Sequence, residues 1–97
     1  MSIYLTAIIK SKPGYADALK AHLLELVSHS KTEIACLQYD LHQVEEDPNI
    51  YIFHEEWSDA AALELHNSQP HLQNFVTNSA DLRDGGIIVY KTHPVSA

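Results

Sequence analysis

The sequence predicts an α+β fold of the split βαβ type, an antiparallel sheet with helices on one face. Three observations carry this reading. Short runs rich in β-branched and aromatic residues occur at Ile3 to Lys10, Ala35 to Gln43, Ile50 to Trp57 and Ile87 to Lys91. The segment between the first two runs has an apolar period of three and four residues, and helix-start signals follow the third run. The chain of 97 residues is expected to be one domain, 1–97, because domains most often hold about 100–150 residues.

Strand one, Ile3 to Lys10, is broken by Pro13-Gly14. From Tyr15 the apolar positions Tyr15, Ala18, Leu19, His22, Leu23, Leu26, Val27 and Ser30 define a helix with one buried stripe, ending near Ser30 or Lys31. In the second strand, Leu37, Tyr39 and Leu41 are expected on one face and Gln38, Asp40 and His42 on the other. The polar stretch Glu45 to Asn49 suits a hairpin loop. In the third strand Tyr51, Phe53, Glu55 and Trp57 point one way, and Ile50, Ile52, His54 and Glu56 the other. Ser58 is the expected N-cap of a short helix through about His66, and Ser68 that of a second helix with Pro70 in its first turn. Leu72, Phe75, Val76 and Ser79 or Ala80 are expected on the inner face of that helix. Gly85-Gly86 marks a bulge or turn before the last strand. The other sheet face would stay open in a monomer, so a homodimer that covers it is expected.

Composition narrows the function. Six basic against thirteen acidic residues give a formal charge of −7, which repels phosphate backbones, and the basic residues form no run; no nucleic-acid partner is expected. No basic membrane anchor is present either, and Lys10 and Lys12 interrupt the first apolar run well short of a bilayer span. A cytoplasmic location is the expectation. The lone Cys36 fits a reducing compartment, excludes cysteine-rich zinc motifs, and lacks a CxxC partner or nearby cation that would activate it, so it reads as a small apolar residue.

The residues Ala35-Cys36-Leu37-Gln38-Tyr39-Asp40-Leu41, the acidic-proline loop, Glu55-Glu56-Trp57-Ser58 and His66-Asn67-Ser68-Gln69-Pro70-His71, in this order, resemble the antibiotic biosynthesis monooxygenase family. The resemblance implies a ferredoxin-like subunit that pairs into a dimeric α+β barrel. For the family's best-understood members it also implies oxygenation of quinol-type or phenolic aromatics by O2 without flavin, haem or metal. Relatives also include haem-degrading enzymes and an isomerase, so the fold does not fix the substrate. Haem degradation is disfavoured here, because haem-degrading relatives use an Asn on the first strand and Ile3 to Lys10 contains none.

His66 and His71 are the candidate catalytic residues. A metal between them is disfavoured: residues five apart on one helix would diverge by about 140°, the Ser68–Pro70 break interrupts such a helix, and cysteine partners are missing. Asp40, His42 and His54 read as polar sheet surface. At a helix C-terminus His66 is expected to hold its proton to higher pH, whereas His71 in a first turn is expected to rest neutral; either could be the base, or both could merely close their helices. The resemblance favours His66. Trp57, Tyr51, Phe53 and Phe75 could wall a slot for an aromatic substrate, with Glu55 as a raised-pKa carboxylate and Tyr39 offering a hydroxyl, although core packing is the favoured reading of Trp57 and the simple one of Tyr39, and a salt bridge or strand-end surface position the favoured one of Glu55. The leading reading is a cofactor-independent monooxygenase. The alternatives are a dicarbonyl isomerase of the same fold and a dimer that binds a small ligand without turnover.

Overall fold

The structure, a computed structural model, describes residues 1–96 of the chain. The elements follow the predicted order: β1 Ile3–Lys10, α1 Ala16–Ser30, β2 Cys36–Gln43, β3 Ile50–Trp57, α2 Ala60–Ser68, α3 Pro70–Asn78, a 3-10 turn at Ala80–Leu82, and β4 Ile88–Thr92. The strands form one antiparallel sheet in the order β2-β3-β1-β4. This is the predicted α+β, ferredoxin-like architecture. Among the described residues no helix is long and apolar enough to cross a membrane.

The inner face of the sheet carries Leu5, Ala7 and Ile9 from β1, Tyr39 from β2, and Tyr51, Phe53 and Trp57 from β3, packed against Leu19, Leu23 and Leu26 of α1, Leu63 of α2 and Phe75 of α3. Strict alternation along β3 buries Tyr51, Phe53, Glu55 and Trp57 and leaves Ile50, Ile52, His54 and Glu56 half-buried opposite. On that second face Ile8 stands in register with both Ile52 and Ile88, an apolar row across three strands with no helix over it.

Five expectations are corrected. Cys36 pairs with Trp57 but Gln38 with Glu56, so Leu37 is the extra residue of a bulge; it turns outward, 56% exposed, and does not share a face with Tyr39. Asp59, not Ser58, caps α2, its carboxylate accepting the Ala62 N–H at 2.8 Å. Ser68 stays in the last turn of α2 and donates to the Leu65 carbonyl. Gln69 is the extended hinge, with ψ 142°, because the ring of Pro70 disfavours a helical residue before it. The buried stripe of α1 is also narrower than its period suggested: Tyr15 and Ala18 are exposed. On α3, Val76 is 39% exposed and lies at a rim rather than inside.

The helices pack on β2 and β3 more than on β4. Gly85 turns the chain at φ +87°, where a side chain would be strained, and the Asp84 N–H bonds the Lys10 carbonyl, bringing β4 beside β1. Every residue of β4 is exposed.

Candidate functional site

The cavity begins with a small residue. One inner row runs Leu41, Phe53, Ala7, Val89 across the four strands, so only a methyl group stands on the central strand. The space left above it is a cavity of about 400 Å³. Its floor is Leu5, Ala7, Phe53 and Glu55, its roof Leu26, Leu63, His66 and Leu72, and its open side Ile87, Val89 and Lys91. Apolar walls with a few polar groups are the usual make-up of a small-molecule site.

Three polar side chains from the sheet and α2 face this space. Glu55 is 7% exposed, and its Oε1 accepts the Trp57 Nε1–H at 3.0 Å. Burial pushes its carboxyl up to about 7, with the Trp57 hydrogen bond pulling down and the Glu33 charge pushing up. Tyr39 lies edge-on to His66, with ring centroids 5.6 Å apart, and burial holds its phenol well above the usual range, so its hydroxyl remains a donor. His66 is 3% exposed and lies 4.2 Å, centroid to centroid, from the Trp57 indole.

Glu33, in the connection between α1 and β2, organises the histidines. Its Oε2 lies 2.6 Å from His66 Nδ1 and 3.0 Å from His71 Nε2. A carboxylate oxygen and a bare ring nitrogen would set lone pair against lone pair, so the His66 Nδ1 carries a hydrogen and donates it to Glu33. In a neutral ring Nε2 is then the acceptor. Burial does lower the His66 pKa, with Glu33 opposing. This corrects the expectation that His66 holds its proton to higher pH: desolvation outweighs the helix end.

The divergence that a continuous helix would give His66 and His71 does not occur, and the expected break falls at Gln69. The extended Gln69 breaks the helix between them, and both rings come to one carboxylate. Glu33, His66 and His71 together present a set of donors able to hold a metal ion.

Of the residues expected at the site, Glu55, His66, Tyr39 and Phe53 line the cavity. Trp57 has no exposed surface and takes no part in the wall; it backs His66 and donates to Glu55. Tyr51 points away, its hydroxyl donating to the Ala16 carbonyl at 2.9 Å. Phe75 and His71 line a different cleft, about 300 Å³, between α1 and α3, where His71 stacks on His29 at 5.7 Å. Asp40, His42 and His54 lie on the strand faces away from the cavity, the two rings 5.1 Å apart. Cys36 leans on the core, and burial, aided by Glu33 and Glu55, pushes its thiol up to about 11, which keeps it unreactive. The sequence reading missed Glu33, Asn67 and Lys91. Nothing local marks Glu33, which meets its partners across more than thirty residues of chain.

Residues 2–78 match the model of the family described as antibiotic biosynthesis monooxygenase. A Bacillus subtilis (strain 168) protein named "Putative monooxygenase YcnE" is 34% identical over 90 residues, 93% of this chain and 95% of that one. The crystal structure of PA3566 from Pseudomonas aeruginosa superposes with a TM-score of 0.91 at 35% identity, covering 98% of this chain and 95% of that chain. A crystal structure described as an antibiotic biosynthesis monooxygenase gives a TM-score of 0.91 at 30% identity, covering 97% and 99%.

Proposed function

The chain belongs to the antibiotic biosynthesis monooxygenase family, and on that premise we propose that it is a cofactor-independent monooxygenase of a hydroquinone or other electron-rich phenol. The observation that carries this reading is the pairing, in one apolar cavity, of a neutral imidazole whose Nε2 is an acceptor with a carboxyl near pKa 7. A base poised near the working pH is what proton abstraction needs.

The steps balance on these two groups. His66 Nε2 takes the phenolic proton, and Glu33 stabilises the imidazolium that forms. The phenolate is electron-rich enough to reduce O2 by one electron, and recombination at a ring carbon bearing hydrogen forms a C–O bond. The peroxide takes the proton back from His66. The Glu55 carboxylate then removes the hydrogen from that carbon as the O–O bond breaks; one oxygen stays as the new carbonyl, and the other leaves as hydroxide, which Glu55 protonates to water. Phenol and O2 thus give quinone and water. Apolar walls exclude solvent from the charged intermediates. Lys91 at the mouth supplies the cavity's one cationic lining group, suited to an anionic substrate. In this reading the active species is a homodimer joined through the uncovered sheet face.

Oxygen uptake with a panel of quinols, together with ¹⁸O incorporation from O2, tests the proposal. Uptake above the spontaneous rate with label in the quinone is expected; no excess uptake across the panel overturns it. The same two acid–base groups also suit a proton shift in a small dicarbonyl compound. Deuterium exchange into such a substrate under nitrogen, without oxygen-dependent product, would favour that reading instead.

A further inference from the structure

We propose that Glu33, His66 and His71 form a binding site for a divalent first-row transition ion, with zinc the probe best suited to it. One donor atom from each lies within 4.8 Å of the other two. Glu33 Oε2 is 2.6 Å from His66 Nδ1 and 3.0 Å from His71 Nε2. Tetrahedral zinc with bonds of about 2.0–2.2 Å spaces its ligands by roughly 3.4 Å. Receiving an ion therefore requires the carboxylate to withdraw by less than about 1 Å from each ring and the two ring nitrogens, which lie no more than 4.8 Å apart, to close to a similar spacing, changes of side-chain torsion.

The ligands come from three separate elements: the loop after α1, the last turn of α2 and the first turn of α3. The extended Gln69 aims the two rings at one oxygen, where a continuous helix would spread them. Two imidazoles and one carboxylate suit zinc and its neighbours rather than calcium or magnesium, which prefer oxygen throughout. The side chains are sheltered but reachable, with His66, His71 and Glu33 at 3%, 17% and 14% exposure. The cleft between α1 and α3 reaches His71 and carries His22, Glu25 and His29, further donors along an entry path. A water from that cleft can take a fourth coordination position.

The ion would act on the cavity through the ring between them. A neutral imidazole that binds metal through Nδ1 carries its hydrogen on Nε2, so a bound ion turns the second ring nitrogen of His66 from acceptor into donor. Metal occupancy and the base role proposed above are mutually exclusive, although binding itself does not depend on that role.

Calorimetric titration of the chelator-treated full chain with Zn²⁺, paralleled by Co²⁺ absorption spectroscopy, tests the site. One ion per chain and ligand-field bands of a four- or five-coordinate site are expected. Glu33→Gln and His71→Ala should each weaken binding about tenfold or more, whereas the double variant His42→Ala/His54→Ala should leave it unchanged. Circular dichroism checks each fold, and His71→Gln, which keeps a polar side chain of similar reach, replaces His71→Ala if that variant unfolds. No binding, binding insensitive to Glu33 and His71, or binding lost only with His42 and His54 overturns the site. The readout involves neither quinol nor oxygen, so failed oxygenation leaves this inference standing, and failed zinc binding leaves the oxygenase reading standing.

Discussion

Glu55→Gln should make the protein more stable, and only at neutral and alkaline pH. Burial raises the Glu55 carboxyl from its ordinary 4.5 to about 7. Between those values the folded protein holds a proton that the unfolded chain has already released, so folding stability falls as pH rises through the window. The penalty is absent below about pH 4.5 and complete above about pH 7, where a difference of roughly 2.5, at about 1.36 kcal/mol each, amounts to about 3 kcal/mol. Glutamine does not titrate, and its side-chain oxygen can still accept the Trp57 Nε1–H, so the hydrogen bond now 3.0 Å long is kept. Urea denaturation of both proteins at fixed concentration should show the advantage of the variant growing by about 2.5 kcal/mol from pH 5 to pH 8. Turnover by the variant should fall at every pH, the common exchange of stability for function at a strained site. A wild-type-to-variant difference that is the same at pH 5 and pH 8 would refute the reasoning, since it would mean that Glu55 titrates as a solvated carboxyl.

Three further outcomes follow from the same geometry. Ala7→Leu places a larger side chain into the cavity floor; quinol-dependent oxygen uptake should be lost while the circular dichroism spectrum is kept, with a stability change within about 3 kcal/mol. Trp57→Phe removes the donor that lowers the Glu55 pKa, so the pH profile of turnover should move to higher pH; an unmoved profile would separate Glu55 from the rate. Ile52→Lys on the uncovered row should shift the protein from dimer to monomer in sedimentation, and a wild-type chain that sediments as a folded monomer at micromolar concentration would remove the dimer from the reading.

The parts of the fold legible in the sequence were those governed by local period. The alternation of Tyr51, Phe53, Glu55 and Trp57 determined which face of β3 is buried, and Pro13-Gly14 and Gly85-Gly86 marked turns by their own backbone chemistry. Where neighbouring residues compete for one role, the reading slipped by a single place: Asp59 for Ser58 at the cap, and Leu37 displaced by a bulge that no residue type announces. The site was legible in its groups more than in their arrangement. Glu55, His66, Tyr39 and Phe53 face one cavity, but Glu33 reaches the histidines only through tertiary folding, and the cavity exists because Ala7 is small on a central strand. The break between His66 and His71 was legible from Pro70, but not that the extended Gln69 it imposes would aim both rings at one carboxylate.

The strand that frames the cavity mouth is also the sheet's least anchored part. β4 has five residues, all exposed, and among the described residues pairs only with β1. Segments with few buried contacts open locally at low free energy while the rest of the molecule stays folded. In the isolated chain this marks Ile88 to Thr92 as the segment of lowest local stability, whereas Glu55 and His66 are held from β3 and α2. The homodimer proposed above would cover the row that ends at Ile88, so the same contact that joins two copies would also steady the strand whose Val89 and Lys91 frame the cavity mouth.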